Sequence, residues 1–224
     1  MIGNYYLINP VAGWAAVCVS KNGCTSLKAR ILLEHGISVD HFTEIHDRIG
    51  YNASSPFLRD VTAGIPEDLE TFAVWRDPVE RFKSVFKHLA LGEPIERQPA
   101  SLPPEVDAWL DWVEDELQKP VLEQDEHLRR QSDCYRPEDV DSIVPLEHLT
   151  EWFADKGFGE LPHEHARSVP LELTPAQAAR IRRIYWQDSG CEIPVENMGV
   201  LHPAPRLRLD QNVRIARKQM VQVP

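Results

Sequence analysis

"WAAVCVSKNGCTSLK", Trp14 to Lys28, decides the fold because it changes character in the middle. Its first half, Trp14 to Ser20, is a short and nearly unbroken apolar run with β-branched residues, the composition of a strand buried on both faces of a parallel sheet. Its second half opens a helix. From Thr25 onward Leu27, Ile31 and Leu32 fall at helical spacing, and Gly36 supplies a stop. Between the two lies a tight turn with one glycine, Gly23. A strand, a tight turn and a helix that opens with Thr25 and Ser26 gather several backbone N–H groups and the positive end of a helix dipole at one point. An anion belongs there. Lys21 adds a mobile positive charge, and the two hydroxyls are able to donate to phosphate oxygens. The spelling is not the nucleoside triphosphatase loop GxxxxGK[ST], in which lysine stands immediately before the hydroxyl residue. Here Lys21 precedes the glycine, at the strand end of the loop, so the cradle is of another kind.

Working outward, "SVDHFTEIH" (Ser38 to His46) is read as a second extended segment and "TFAVW" (Thr71 to Trp75) as another buried strand. "RDPVERFKSVFKHLAL" then starts a helix with Asp77 as N-cap and Pro78 at the first helical position. The proline-rich stretch Gly92 to Pro104 reads as a surface excursion. After it, Val106, Leu110, Val113 and Leu117 form one stripe of an amphipathic helix with an acidic outer face. "DSIVPLEHLTEWFADKG" reads as a strand over Ser142 to Leu146, then a helix that stops at Gly157. "LTPAQAARIRRIYWQDSG" gives the last helix, capped by Thr174 with Pro175 following. Strand alternating with helix predicts an α/β fold with a mainly parallel central sheet.

Length and composition set the outer bounds. The 224 residues suit a single domain over 1–200, followed by a basic tail over 201–224 that is an arm or disordered. With 42% hydrophobic and 26% charged residues the composition is that of an ordinary globular protein. A formal charge of −11 argues against coating nucleic acid or an anionic membrane, while leaving room for a small anion held by a local basic cluster. Cys18, Cys24, Cys134 and Cys191 are scattered without metal-ligand spacing, which points to reduced thiols. The start of the chain has no basic n-region, and its longest apolar run is far below membrane-spanning length, so a cytoplasmic location is expected.

A second anion-suited element stands in "WRDPVERFKSVF". Arg76 ends a buried strand, and Arg81, Ser84 and Val85 lie within one face of the helix that follows. Arg76 and Ser84 are both within reach of an anion beside the sheet, at the edge where ligands of open α/β sheets sit. Together, "VSKNGCTSLK" and "VWRDPVERFKSVF" closely resemble the two nucleotide-binding signatures of sulfotransferases whose donor is 3′-phosphoadenosine 5′-phosphosulfate (PAPS). The nearest branch looks like the Golgi carbohydrate sulfotransferases of chondroitin and dermatan type with their bacterial relatives. "HLRRQSDCY" (His127 to Tyr135), "VDSIVPLEHL" and "ARSVPLELTPAQAARIRRIYWQD" are similar to further stretches of that branch, so the resemblance runs with gaps from Val17 to Asp188.

That resemblance implies a P-loop-like three-layer α/β/α fold and a PAPS-dependent transfer of a sulfuryl group to a hydroxyl of a carbohydrate or carbohydrate-like acceptor. It implies that Lys21, Asn22, Gly23, Cys24, Thr25 and Ser26 cradle the 5′-phosphosulfate and that Arg76 with Ser84 binds the 3′-phosphate; Arg167 and Ser168, in a loop before the last helix, are read as a second contact to the 3′-phosphate or the adenine side. Ser20 stands where the family often has a proline. Lys21 is then the principal catalytic side chain, with Ser84 beside it, because a fixed charge near the bridging oxygen acts as negative charge builds on the departing nucleotide. A general base is needed as well. His46 is the first choice by position, with His41, Glu44 and His127 behind it. No metal is expected. His127 and Gln131 read as capping or packing residues, Glu147 as a helix-start carboxylate, and Trp109, Trp112, Trp152 and Trp186 as core or groove walls. Two other classes compete: an atypical P-loop nucleotide kinase, which calls for a Walker-type lysine and acidic magnesium ligands, and a non-catalytic nucleotide-binding protein. Loops such as Gly50 to Gly64 and Gly92 to Pro104 are expected to set acceptor choice, and the sequence carries no reading of oligomeric state.

Overall fold

The structure is a computed structural model that describes residues 5–39, 42–50, 54–90, 105–162 and 170–191. Strands β1 (Tyr5–Asn9) and β2 (Trp14–Val17) pair antiparallel across a turn in which Gly13, at φ 81, donates its N–H to the Asn9 carbonyl at 2.9 Å. β3 (Leu58–Asp60) pairs antiparallel with β1. On the other side of β2, β4 (Glu70–Trp75) and then β5 (Ser142–Pro145) add in parallel. Among the described residues this gives one five-stranded sheet in the order β3-β1-β2-β4-β5. The sheet is mixed, not mainly parallel as the sequence suggested. The short turn Pro10 to Gly13 explains the difference, because a tight connection joins only antiparallel neighbours, whereas a parallel pair needs a crossover of about a dozen residues or more.

The strands alternate faces as the pleat requires. Leu7, Trp14, Ala16, Phe72, Val74 and Val144 meet the buried side chains of α1 (Cys24–Glu34), α2 (Phe42–Ile49) and α5 (Leu149–Asp155). Tyr6, Ile8, Ala15, Val17, Ala73, Trp75 and Ile143 face the other way, onto Leu69, Tyr135 and Val140. Helices α3 (Pro78–Leu89), α4 (Val106–Glu116) and α6 (Pro175–Ile184) close a separate apolar core around Phe82, Phe86, Trp109, Val113 and Ile181.

The helix starts agree with their sequence signals. Asp77 accepts from the backbone N–H of Val79 and Glu80 at 2.9 and 3.1 Å, with Pro78 next in line. Thr174 and Gln177 form a reciprocal capping box at the start of α6. One element departs from expectation: Phe42–Ile49 is a helix, not part of an extended segment. Ile45 and Ile49, one helical turn apart, are 1% and 0% exposed while Asp47 between them is exposed; a strand would put all three on one face, and a helix separates Asp47 from the other two. Among the described residues no helix is long and apolar enough to cross a membrane. The stretch Gly92 to Pro104 and the 201–224 tail lie outside the described residues.

Phe72 is the centre of the helix-covered face, with its ring 5.7 Å from Trp14, 4.8 Å from Trp152 and 5.7 Å from Phe153. Phe72→Ala is therefore expected to lower unfolding free energy by about 3–5 kcal/mol. Urea denaturation followed by tryptophan fluorescence measures it, and a loss below about 1 kcal/mol, the range of a surface change, would contradict this packing.

Candidate functional site

After β2 the chain makes a close loop before α1. Cys18 N–H donates to the Tyr5 carbonyl at 2.8 Å, and Asn22 N–H donates to the Val19 carbonyl at 3.2 Å. Two residues in the loop have left-handed backbone angles, Lys21 at φ 69 and Gly23 at φ 76. Glycine is required at position 23 on two counts. Its φ disfavours a side chain, and a Cβ there would lie 3.0 Å from Leu146 Cδ1 and 3.3 Å from Leu149 Cδ2. Lys21 has no such freedom, so its conformation costs on the order of 1–3 kcal/mol and must be held from outside. Arg76 Nη1 donates to the Lys21 carbonyl at 2.9 Å, and Arg81 Nε donates to the Ser20 carbonyl at 3.1 Å. The first bond within α1 runs from Leu27 N–H to the Gly23 carbonyl at 3.1 Å. The N–H groups of Cys24, Thr25 and Ser26 precede it, at the positive end of the helix.

The loop is joined to the end of β4 through a buried amide network. Gln131, 0% exposed, accepts at Oε1 from Asn22 Nδ2 at 2.6 Å and from the Arg76 backbone N–H at 2.9 Å. Its Nε2 donates to the Arg76 carbonyl at 2.9 Å and to Asp188 Oδ2 at 3.2 Å. Asn22 Nδ2 also donates to the Val74 carbonyl at 2.6 Å. Asp188, equally buried, accepts at Oδ1 from the N–H and hydroxyl of Ser132 at 3.0 and 3.1 Å, and its carbonyl accepts from Trp75 Nε1 at 3.2 Å. Arg81, 2% exposed, adds a bond from Nη2 to the His127 carbonyl at 3.2 Å. Two loops and two distant segments are thereby fixed together at the C-terminal ends of adjacent parallel strands.

Beside the cradle, Lys28 Nζ lies 3.0 Å from His46 Nδ1. With the ammonium as donor, Nδ1 is the acceptor and the ring proton sits on Nε2. Burial, then the charge of Lys28, pushes the His46 pKa down, which favours the neutral ring. The Cys24 thiol is held well below the ordinary thiol range. It accepts a hydrogen bond from Cys18, and the charges of Lys28 and Lys21 act in the same direction against its burial. Cys18, the donor in that bond, is pushed well up by the bond and by desolvation. His127 pairs through Nδ1 with Asp125 Oδ1 at 2.9 Å, and its ring centre lies 5.5 Å from that of His88.

The structure brings Lys21, Gly23, Cys24, Thr25, Ser26 and Arg76 into one neighbourhood, with His46 attached through Lys28. Asn22 is 1% exposed and its amide points into the protein, so its side chain secures the loop rather than facing a ligand. Ser84 lies half-buried on α3. His46 lies on α2 and not at the end of an extended segment. His127 and Gln131 are not on one helix: His127 is in a turn, and Gln131 opens a short 3-10 segment. Trp109 is 1% exposed against Phe86 at 5.4 Å and Trp112 at 5.1 Å, a core residue, while Trp186 is 65% exposed. Glu147 is exposed at a short helical turn after β5. His41, Arg167 and Ser168 lie outside the described residues. Sequence reasoning missed Lys28 and Arg81 as parts of the site, and Asp188 as an anchor. Lys28 carried a readable signal, because it stands one helical turn after Cys24 and shares its face.

Compared with models of protein families, with curated proteins and with solved structures, the chain finds no match.

Gln131→Ala would strip partners from Asn22, from both backbone groups of Arg76 and from Asp188. A loss of at least about 2 kcal/mol in urea denaturation is expected; a near-neutral result would show that the network does not hold the loop. His46 gives a pH signature with a definite sign. Its folded pKa lies below the ordinary value of 6.5, so the unfolded chain takes up a proton first as pH falls. The stability contribution is complete above pH 6.5 and is lost between there and the folded value. Wild type is expected to lose stability relative to His46→Asn over that window, and a constant difference would sink the assignment.

Proposed function

We propose that the chain is a PAPS-dependent sulfotransferase that moves a sulfuryl group by in-line displacement to a hydroxyl of a carbohydrate or carbohydrate-like acceptor. The observation that carries this reading is the bond from Arg76 Nη1 to the Lys21 carbonyl, which makes one site of two anion-suited elements. Both lie at the C-terminal ends of neighbouring parallel strands, β2 and β4, where ligands of α/β sheets bind. Together with the resemblance of those same two stretches to the family's signatures, this favours a donor bearing phosphates at both ends of a nucleoside.

In this reading the N–H groups of Cys24, Thr25 and Ser26 and the two hydroxyls hold the 5′-phosphosulfate, and Gly23 keeps the backbone close to it. Arg76 and Ser84 take the 3′-phosphate, with Arg167 and Ser168 as a further contact. One of the five N–H donors of Arg76 serves the Lys21 carbonyl, and the guanidinium fork is suited to phosphate with the others. Lys21 neutralises the charge that develops on the departing phosphate oxygen, a task that requires no metal. His46 takes the acceptor proton. Its neutral ring is the correct state for a base, and its basic nitrogen is the one now facing Lys28, so the acceptor hydroxyl takes the place of that ammonium at Nδ1. The fold goes with this reading as a P-loop-like three-layer α/β/α arrangement, of which the packing of α1, α2 and α5 on one sheet face would be one layer. The acceptor is the one partner proposed; nucleic acid and membranes are not.

Calorimetric titration with adenosine 3′,5′-bisphosphate, against ATP with magnesium, tests the donor site. The bisphosphate is expected to bind and ATP to bind weakly or not at all. Arg76→Lys loses the fork geometry and is expected to weaken the bisphosphate about 10- to 100-fold, the worth of one or two charge-assisted hydrogen bonds. Lys21→Ala is expected to lower turnover of labelled PAPS by about 10²–10³ with a smaller change in affinity. Preferential binding of ATP, or binding of neither nucleotide, would end the sulfotransferase reading.

A further inference from the structure

Two cysteines flank the anion loop, and the chemistry proposed for the site uses neither thiol. Cys18 follows the end of β2 and Cys24 is the first residue of α1. The intervening chain folds back so tightly, through the Asn22 to Val19 bond and the left-handed Lys21 and Gly23, that the two thiols are hydrogen-bonded to one another. Around Cys24 stand Lys28, His46 and Lys21, and the helix start adds its positive end. Both cysteines are partly exposed, and both are thiols in this structure. Contact between two thiols, one of them in a cationic setting, is the arrangement of an attacking and a resolving cysteine.

We propose that Cys18 and Cys24 are a peroxide-sensitive pair that closes reversibly into a disulfide across the anion loop. The Cys24 thiolate attacks one oxygen of hydrogen peroxide; a sulfur–oxygen bond forms, the oxygen–oxygen bond breaks, and the departing hydroxide takes up a proton to become water. Cys24 is then a sulfenic acid. Cys18 loses its thiol proton and attacks the Cys24 sulfur; the sulfur–sulfur bond forms, the sulfur–oxygen bond breaks, and the hydroxyl leaves as a second water with that proton. The two thiols together lose two electrons, and the peroxide gains them. A dithiol reductant reverses the step by thiol–disulfide exchange. Cys134 serves as an internal comparison, because burial pushes its thiol up to about 11 and its sulfur donates to the Arg130 carbonyl. Closing the covalent bond, at about 2.05 Å, draws the first residue of α1 toward the end of β2. The loop between them is the one whose backbone the donor would need, so on the sulfotransferase reading oxidation also weakens donor binding.

The full-length protein is treated with hydrogen peroxide, capped with iodoacetamide and digested with trypsin. Because Lys21 lies between the two cysteines, a disulfide joins the peptide that ends at Lys21 to the peptide Asn22 to Lys28, and mass spectrometry detects the joined pair. The joined pair is expected in wild type and is expected to vanish on reduction with dithiothreitol. In Cys18→Ser, Cys24 is expected to remain as a sulfenic acid that dimedone traps. In the reduced protein, Cys24 is expected to react with iodoacetamide at least about tenfold faster than Cys134. Absence of the joined peptides in wild type, or a bridge from Cys24 to Cys191 in their place, overturns the pair. Titration with adenosine 3′,5′-bisphosphate before and after oxidation separates the two readings. Failure of the reduced protein to bind counts against the sulfotransferase assignment and leaves the disulfide result standing. Equal binding by both forms overturns the effect of the bridge on the loop.

Discussion

The geometry of the site depends on one buried amide. Gln131 has two acceptor positions and two N–H donors, and all four are used, on Asn22, on the backbone N–H and carbonyl of Arg76, and on Asp188. Complete use fixes its orientation. If the amide oxygen and nitrogen were exchanged, the NH2 would face the donors of Asn22 and Arg76, and the oxygen would face a carbonyl and a carboxylate. A single side chain therefore sets the distance between the loop after β2 and the end of β4, two segments remote in sequence. The cost of the left-handed Lys21 is offset here too, because the Arg76 that holds its carbonyl is itself held on both sides by Gln131.

A chain of net charge −11 can still present a cationic site, because the charges are sorted in space. Part of the acid is on α4, where Asp111 and Glu114 meet Arg180 at 2.6 and 2.7 Å on the outer surface. Lys21, Lys28, Arg76 and Arg81 gather at the C-terminal ends of β2 and β4, in buried or half-buried surroundings where interactions are screened less than at the surface. The acids Asp111 and Glu114 are engaged on α4 by Arg180 and Arg183, which compensate them locally. The hydrogen bond between Cys18 and Cys24 favours Cys24 as the anion and keeps the proton on Cys18, and Lys28 and Lys21 add to the effect on Cys24.

The elements with strong local signals were legible in the sequence. The apolar runs of β2 and β4, the Asp77–Pro78 and Thr174–Pro175 caps and the glycine of the loop after β2 each impose structure through nearby residues alone. The antiparallel β1 and β3 were not, since "YYLIN" is short and its pairing depends on the turn at Pro10 to Gly13 and on a third strand fifty residues away. The α2 helix was misread because its charged and β-branched residues suit an extended segment until the exposure of Asp47 between buried Ile45 and Ile49 decides between the two. Gln131 was legible as a capping or packing residue but not as the joint between two loops, and Asp188 not as its anchor; a polar residue takes such a role only when tertiary packing removes it from water, and no spacing rule announces that.

The Lys28–His46 contact adds a constraint that separate inspection of either residue would miss. An ammonium and an imidazole at hydrogen-bond distance cannot both be charged without repulsion, and the burial of His46 resolves the conflict in favour of the neutral ring. The neutral ring is fit to accept a proton, yet its only basic nitrogen is already engaged. A base role for His46 therefore depends on where the Lys28 ammonium is drawn. Lys28 rises from the same face of α1 as Cys24, one turn above the N–H groups of the cradle, so an anion seated there competes with His46 for the same positive charge. On the proposed reading, filling the donor site loosens Lys28 from Nδ1 and exposes the base, which places donor binding before proton transfer by electrostatics alone.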